Sequence, residues 1–345
     1  MKMKRERVTI ADVARRAGVS KVTVSYVING REGKVRISDE TRQRIWEAIR
    51  DLGYRPNALA RALTQRRTHT IGVVMQYAAI FGGWSGFILE LLHGASHEAI
   101  EKQYDLMMYT GAHGDDAEHE ANAVMDGRID GALLLRDIDD PLSDILADSG
   151  FPHVLIFTRA RRPDVYYVDC DNVKGGYIAT KHLLELGHRA IVHLRGSSRS
   201  APALDRWHGY VRAMREAGIE PEEQWVIEMP GPMSDARPLF ELMRSRGRPT
   251  AIFAWSDDVA IRAMQVLREL GLRIPEDVAV VGYDSTEVCN HTDPPLTSVR
   301  QPIYEMAREG VKTLVRLIEG ERPHRVARIF EPVLDIRRSC GGVSL

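Results

Sequence analysis

The chain has 345 residues, of which 44% are hydrophobic and 28% are charged, and its formal net charge is -1. This composition is that of a globular protein of about two or three domains. The sequence has no apolar run of roughly 18 residues, the length a transmembrane helix needs, and no apolar stretch follows its charged start. Cys170, Cys289 and Cys340 fit neither a disulfide framework nor a zinc spacing, so we expect a protein of the reducing cytoplasm.

Charge is distributed unevenly along the chain. Residues 1–67 hold 17 Lys and Arg against 7 Asp and Glu, whereas the remainder holds 30 against 41. A short basic segment attached to a larger acidic body indicates a module that binds a polyanion such as nucleic acid. The alternative is a solvated basic tail, but the segment is too rich in periodic apolar residues for that.

The basic segment begins with two short predicted helices. In residues 9–17 the apolar side chains recur at helical spacing, Thr9 and Asp12 form a capping-box-like start, and Gly18 supplies a stop. Ser20 then caps a second helix. The pair has the layout of a helix-turn-helix, and the alternative is a buried helical hairpin without a role on DNA.

The second predicted helix has two distinct faces. Val24, Val27 and Ile28 form the face that points inward. A largely polar face points outward, which suits contact with base edges in the major groove. It consists of Lys21, Val22, Ser25, Tyr26 and Asn29.

A third helix and a shorter fourth one complete the basic segment. The third is predicted at residues 38–52, capped by Ser38 and ended by Gly53. The fourth, at residues 54–63, is below the length that is stable alone in water, so we expect it to form fully only when docked on a partner copy and DNA. A plain linker helix is the alternative for this segment.

Several motifs together resemble one known family. The sequence at residues 9–25, the Asn29-Gly30 pair and residues 52–61 closely resemble the head of LacI-family transcription regulators. The likeness continues in the same order over the rest of the chain, at residues 171–172, 185–188, 274–278, 281–284 and 293–302. The resemblance implies a homodimer whose two heads bind a pseudo-palindromic double-stranded DNA operator, without a metal or other cofactor.

The resemblance also implies which residues contact DNA. The leucine that wedges a central base step from the minor groove, and so bends the duplex, matches Leu63. Relatives often carry Arg where Tyr26 stands, so the operator should differ from theirs at the matching base pair. The full set of expected DNA contacts is Thr9, Ser20, Lys21, Val22, Thr23, Ser25, Tyr26, Asn29, Asn57, Ala60, Arg61 and Leu63.

The remainder of the chain alternates apolar runs with helical stretches, a pattern typical of parallel sheets covered on both faces. The runs lie at residues 71–75, 106–109, 132–135, 154–157, 191–194, 251–254 and 278–281. The resemblance implies a periplasmic-binding-protein-like α/β body of two doubly wound parallel-sheet lobes behind the small all-α head. We expect the chain to cross between the lobes near residues 160, 290 and 325, and a late helix at 304–319 to return to the first lobe.

The predicted domains are accordingly three. Residues 1–55 form the helix-turn-helix domain and residues 56–67 the hinge helix and linker. Residues 68–345 form the two-lobed domain for effector binding and dimerisation.

Ligands of open α/β sheets bind beyond the carboxyl ends of the strands. After the first run comes an aromatic stretch that includes Trp84 and Phe87, which can stack on a sugar or base ring, serve as dimer surface or pack in a lid. Arg206 and Asp284 match the arginine and the acid that bind effector in the family. Their alternatives are a salt bridge at a helix start for Arg206 and a turn-forming aspartate for Asp284.

Two departures from the family concern the identity of the effector. Trp255 and Ser256 follow the run at 251–254, and Ser256 stands where the family has an asparagine that often binds ligand. Asp257 is expected to cap the next helix. Met233 occupies a place where several relatives have an aromatic residue.

The sequence therefore predicts a cytoplasmic homodimeric DNA-binding transcription regulator, a repressor rather than an enzyme. Its effector is expected to be a sugar or sugar derivative held between the lobes. His93 and His97 have the spacing of two metal ligands on a helix, but with no third ligand evident they are expected to be surface histidines. The alternative to a DNA-binding regulator is a sugar-binding module or carbohydrate enzyme with an incidental basic head.

Overall fold

The computed structural model describes residues 8–28, 37–56, 67–76, 86–109 and 116–342. Backbone contacts divide the chain into two units, Met1–Thr68 and His69–Leu345. Some of the expected site residues lie outside the described ranges, and their roles stay predictions. These are Asn29, Asn57, Ala60, Arg61, Leu63 and Trp84.

The first unit contains the predicted helices α1 (Ile10–Ala17), α2 (Lys21–Ile28) and α3 (Asp39–Leu52). The N–H of Thr9 donates to the Asp12 carboxylate at 3.0 Å, and Gly18 ends α1 at a φ of +67°. The predicted caps of α1 and α3 are thus confirmed. Inward side chains of the three helices form one small core of Val13, Ala14, Ala17, Val24, Val27, Ile45 and Ala48.

The second unit begins with a six-stranded parallel sheet of order β11-β5-β4-β3-β1-β2. One core packs α4 and α11 on one face, and a second core packs α5 and α6 on the other. The strands are β1 (Thr70–Met75), β2 (Asp105–Tyr109), β3 (Gly131–Leu135), β4 (His153–Ile156), β5 (Tyr166–Cys170) and β11 (Ala327–Phe330). The helices are α4 (Gly86–Glu101), α5 (Ala117–Val124), α6 (Leu142–Asp148) and α11 (Ile303–Ile318).

The other lobe is built in the same way, on a sheet of order β12-β10-β9-β8-β6-β7. Its strands are parallel except for the edge strand β12, which runs antiparallel to β10. The strands are β6 (Ile191–Arg195), β7 (Val226–Glu228), β8 (Ala251–Ala254), β9 (Ala279–Asp284), β10 (Thr297–Arg300) and β12 (Val333–Asp335). The helices are α7 (Asn172–Glu185), α8 (Ala201–Glu216), α9 (Arg237–Arg244) and α10 (Asp257–Glu269).

The two-lobed architecture and the return of the late helix are confirmed, but the predicted crossing points are wrong. The chain crosses between the lobes at residue 171, between 300 and 303, and between 330 and 333, each later than expected. The reason lies in strands that carry buried polar residues and therefore show no apolar run. Asp169 in β5 and Thr297 and Ser298 in β10 are buried, and hydrogen bonds satisfy them.

Helices α7 and α8 touch through their backbones. A Cβ atom on Gly176 would lie 2.1 Å from the carbonyl oxygen of Arg206, and one on Gly209 would lie 2.2 Å from that of Val173. These approaches are too close for any side chain. They fix the position of Arg206 on α8 relative to the start of α7.

We expect Gly209→Ala to lower the free energy of unfolding by about 1–3 kcal/mol, because the added methyl meets backbone atoms that cannot rotate away. This cost should exceed the gain of up to about 1 kcal/mol that alanine brings in helix propensity. Urea unfolding would measure the difference. Gly247→Ala is the matched control, since nothing lies within 4 Å of the Cβ it would add, and equal midpoints for the two variants would contradict the packing argument.

Candidate functional site

The predicted outward face of α2 is exposed in part, with Ser25 and Tyr26 half-buried and Asn29 outside the described residues. Lys21 and Val22 are exposed, with 58% of Val22 accessible to solvent. The hydroxyl of Ser20 accepts a hydrogen bond from the Thr23 N–H at 3.1 Å and so caps the start of the helix. An accessible lysine beside an accessible β-branched side chain suits the acceptor groups of guanine and the methyl group of thymine.

The two lobes of the second unit meet at the carboxyl ends of their strands. The Ile138 N–H, after β3, donates to the carbonyl oxygen of Arg199, after β6, at 3.1 Å. A Cβ atom on Gly86 in the first lobe would lie 2.8 Å from Cβ of Thr286 in the second. These contacts place the boundary between the lobes at the edge where open α/β sheets bind ligands, which is where the resemblance implies a cleft for the effector.

Arg206 is buried in the second lobe, where two of its guanidinium nitrogens donate hydrogen bonds. Its Nε donates to Oδ1 of Asn172 at 2.9 Å, and its Nη1 donates to the carbonyl oxygen of Trp255 at 2.5 Å. The guanidinium lies 3.6 Å from the centre of the Tyr283 ring, a cation–π contact in a desolvated place. Asn172 and Tyr283 belong to motifs seen in the sequence, but only the structure makes them partners of this arginine.

Asp284 lies beside Arg206, as the sequence predicted. Its Oδ1 is 3.9 Å from Nη1 of Arg206 and accepts a hydrogen bond from Nε2 of Gln301 at 2.6 Å. Burial raises the pKa of Asp284 well above its usual value, while the charge of Arg206 opposes the rise. The backbone φ of Asp284 is +110°, a strained conformation of the kind that is concentrated at functional sites.

Asp257 was expected to cap α10, but Ser256 caps it instead. Ser256 has extended backbone and its hydroxyl accepts from the Val259 N–H at 3.4 Å, so it caps α10. Asp257 is instead buried and accepts hydrogen bonds from the N–H and hydroxyl of Thr286 and from the hydroxyl of Ser298. Asp257 thereby fixes the turn that follows Asp284.

The expected aromatic contacts Phe87 and Trp255 are each held by neighbours in their own lobe. Phe87 packs edge-on against Phe157 with ring centres 4.7 Å apart, against the core of the first lobe. Trp255 donates from its indole nitrogen to the carbonyl oxygen of Met229 at 2.9 Å, which holds the ring in place. Met233, the other departure from the family, is 86% exposed.

Thr158 is a polar residue that the sequence did not single out. It follows β4, is buried, and its hydroxyl has no hydrogen-bond partner within the described ranges. A buried hydroxyl without a partner carries a free-energy cost that a bound ligand can remove. Threonine at the end of an apolar run gives no local signal, which is why sequence reasoning missed it.

Within one chain, the described residues form neither a metal site of three ligands nor a membrane-spanning helix. Among those residues no three His, Cys, Asp or Glu side chains are placed to hold a metal ion. No helix there is long and apolar enough to cross a membrane. The three cysteines are buried free thiols.

The chain matches two families of known proteins. Residues 9–57 match bacterial regulatory proteins of the lacI family, and residues 180–340 match a periplasmic binding protein-like domain. The HTH-type transcriptional regulator CelR of Thermobifida fusca is 37% identical over 97% of this chain and 99% of its own length. The HTH-type transcriptional repressor PurR of Aliivibrio salmonicida is 33% identical over 94% of this chain and 95% of its own length.

A solved structure of a related regulator has the same fold. It is that of a transcriptional regulator CelR–cellobiose complex, with a TM-score of 0.73 and 36% sequence identity. The match covers 96% of this chain and 100% of the other.

The pKa of Asp169 supplies a test of the cleft's electrostatics. This buried carboxylate accepts hydrogen bonds from the Cys170 N–H at 2.8 Å and from Nδ2 of Asn172 at 3.1 Å. Burial nevertheless raises the pKa of Asp169 to about 6, with the Cys170 N–H and the charge of Arg206 opposing the rise. In the unfolded chain an aspartate has a pKa of about 3.9.

The stabilising contribution of Asp169 should therefore be full below about pH 4 and lost as the pH rises through 6, because the folded state binds the proton more tightly. Against Asp169→Asn, which does not titrate, the wild-type protein should lose about 2–3 kcal/mol of unfolding free energy between pH 4 and pH 7. Denaturant unfolding of both proteins across that range measures the gap. A gap that stays constant with pH would show that Asp169 titrates normally.

Proposed function

This chain belongs to the LacI family of bacterial regulatory proteins, and we propose that its cleft binds an uncharged sugar that sets the affinity of its head for operator DNA. The observation that carries the proposal is the buried pair of Arg206 and Asp284 in the second lobe, where Asp284 ends strand β9. The pair offers both donors and a carboxylate acceptor, which is what a polyhydroxyl ligand needs.

The charge balance of the cleft favours an uncharged ligand. Arg206 is already held by Asn172, by the carbonyl oxygen of Trp255 and by Asp284. Arg159, at the lobe boundary, forms an ion pair with Asp205. An anionic ligand would have to break these pairs, whereas sugar hydroxyls can add hydrogen bonds to them, with the buried Thr158 hydroxyl as a further partner.

The aromatic groups suit a sugar ring. Trp255 lies beside the charged pair, with its ring centre 5.7 Å from the Arg206 guanidinium, and sugar rings have apolar faces that pack on such a surface. Phe87, in the first lobe, is proposed as a second aromatic contact. The solved cellobiose complex of the related CelR makes cellobiose the first ligand to test. Trp84 and the hydroxyl of Ser256 remain proposed contacts from the sequence resemblance.

The head binds DNA in our proposal through α2 in the major groove. Lys21 donates to guanine, Val22 contacts a thymine methyl, and Tyr26 reads the base pair where relatives use arginine. Backbone phosphates are contacted by the remaining proposed groups of the head, Thr9, Ser20, Thr23, Ser25 and Asn29. Asn57, Ala60, Arg61 and Leu63 are proposed to act in the minor groove, where Leu63 wedges a base step.

We further propose that the regulator acts as a homodimer, which matches a pseudo-palindromic operator by its own twofold symmetry. The effector can shift DNA affinity only by binding the conformations of the body unequally. The contacts between Ile138 and Arg199 and between Gly86 and Thr286 are those that a ligand in the cleft would strengthen or break.

The effector site is tested by Asp284→Asn, which keeps the shape of the side chain but removes its charge. We expect cellobiose affinity, measured by calorimetry, to fall about 10- to 100-fold, because a hydrogen bond to a charged group contributes about 1.5–3 kcal/mol. Operator affinity without ligand should stay unchanged in fluorescence anisotropy. Asp235→Asn, on the exposed surface of the same lobe, is the control.

Two outcomes would count against this site. Wild-type cellobiose affinity in Asp284→Asn would place the pocket elsewhere. Release of glucose from cellobiose by the wild-type protein would indicate a carbohydrate enzyme instead.

Base reading is tested by Tyr26→Ala on an operator selected from random duplexes with the wild-type protein. We expect a loss of about 1–3 kcal/mol on that operator and almost none on unrelated DNA of equal length, because base contacts specify whereas phosphate contacts do not. Gln43→Ala, on the exposed side of α3, should change neither. An equal loss on both DNAs would place Tyr26 away from the bases.

A further inference from the structure

The outer face of α4 carries a stripe of four exposed side chains, Leu89, His93, His97 and Ile100. Their spacing places them on successive turns of one helix face. Leu89 is 71% and Ile100 73% exposed, so each end of the stripe is a large apolar group in water. The opposite face of α4 is buried in the core of the first lobe.

One tyrosine contacts both histidines at the centre of the stripe and hydrogen-bonds to one of them. The ring of Tyr304, on α11, lies 4.9 Å from that of His93 and 5.9 Å from that of His97. Its hydroxyl is hydrogen-bonded to Nδ1 of His97, which leaves Nε2 of that ring facing outward, 3.4 Å from Glu101. A Cβ atom on Gly94 would lie 2.3 Å from the carbonyl oxygen of Tyr304, so α11 is fixed against α4 at this point.

Glu101, the acidic neighbour of His97, is also paired with Arg308. Arg308 bonds to Glu101 at 2.9 Å and to Glu98 at 2.6 Å. The Nε2 atom of His97 therefore lies near a carboxylate whose charge is already compensated. Orientation of an imidazole through its other nitrogen is the usual preparation of a histidine for metal binding.

The stripe is symmetric about its own centre. The midpoint of residues 89 and 100 nearly coincides with that of residues 93 and 97, and the two pairs span about 16 Å and about 6 Å along the axis. A twofold axis through that midpoint would place Leu89 against Ile100 of a second copy and His93 against His97 of that copy. The stripe is thus self-complementary, as an isologous interface requires.

We propose that this stripe packs against the same stripe of a second copy and that His93 and His97 of both copies together bind one divalent zinc ion. The proposal rests on the homodimer in the proposed function. Zinc takes four nitrogen or sulfur ligands in a tetrahedral arrangement, and a helix offers two of them from histidines four residues apart. Each chain holds half of the site, which agrees with the finding that no described part of one chain brings three ligands together.

The test is a zinc titration of the full-length protein after removal of metal with EDTA. Calorimetry should give one zinc ion per two chains, and sedimentation equilibrium should show a tighter dimer with zinc than without. His93→Gln and His97→Gln should each abolish this binding. The control His208→Gln changes an exposed histidine on α8 and should bind zinc as the wild type does.

Tyr304→Phe separates orientation of the ligand from ligation. The variant keeps the ring but loses the hydroxyl bonded to His97, so zinc should still bind at one ion per two chains, about 10- to 100-fold more weakly. A merely structural role of the hydroxyl would leave zinc affinity unchanged.

The proposal is overturned if zinc does not bind, if it binds at one ion per chain, or if His93→Gln binds it as well as the wild type. Operator binding by the EDTA-treated protein distinguishes these outcomes from failure of the proposed function. Operator binding without any zinc effect would refute only the metal site. Loss of operator binding with an intact zinc site would refute the proposed regulator.

Discussion

The buried guanidinium of Arg206 is the charge on which the arrangement of the cleft depends. A cation removed from water needs acceptors and a counter-charge, since an unpaired buried charge is strongly destabilising. Its partners are the Asn172 amide at the start of α7, the Trp255 carbonyl after β8 and the Asp284 carboxylate at the end of β9. The bonds of this one side chain therefore hold the start of α7 and the carboxyl ends of β8 and β9 close together.

The packing of glycines makes this arrangement possible. Because Gly176 and Gly209 let the backbones of α7 and α8 touch, Arg206 is brought within reach of Asn172. A larger residue at either position would separate the helices and with them the donor and its acceptor. The packing of the second lobe and the chemistry of the cleft are thus set by the same contacts.

Asp257 and Asp284 connect the surroundings of Arg206 to the contact between the lobes. Asp257 holds Thr286, and Thr286 meets Gly86 of the first lobe. Gln301, which donates to Asp284, stands at the second crossing between the lobes. In the proposed effector site, a ligand that changes the hydrogen bonds of Asp284 would therefore act on Gln301 at a crossing between the lobes, which is the physical requirement for coupling between two sites.

The sequence by itself determined the local structure and the family. The capping box at Thr9, the ends of α1 and α3 at Gly18 and Gly53, and the strands with apolar runs follow from signals within a few residues. The same motifs predicted that Arg206 and Asp284 lie near each other, and the structure places their side chains 3.9 Å apart. These features depend on neighbours along the chain, which a sequence displays directly.

Only the tertiary structure decided where the chain crosses between the lobes and which partners the buried polar groups have. The apolar pattern did not reveal strand β10, because its buried residues Thr297 and Ser298 are polar. Their hydrogen-bond partners, Ser339 and Asp257, lie about forty residues away in the sequence. Asp257 likewise accepts a hydrogen bond from the distant Thr286, and Ser256 caps α10 in its place. Tyr304, more than two hundred residues away, hydrogen-bonds to His97 and contacts the ring of His93. Such hydrogen bonds form only when packing brings distant groups together, so no local periodicity can report them.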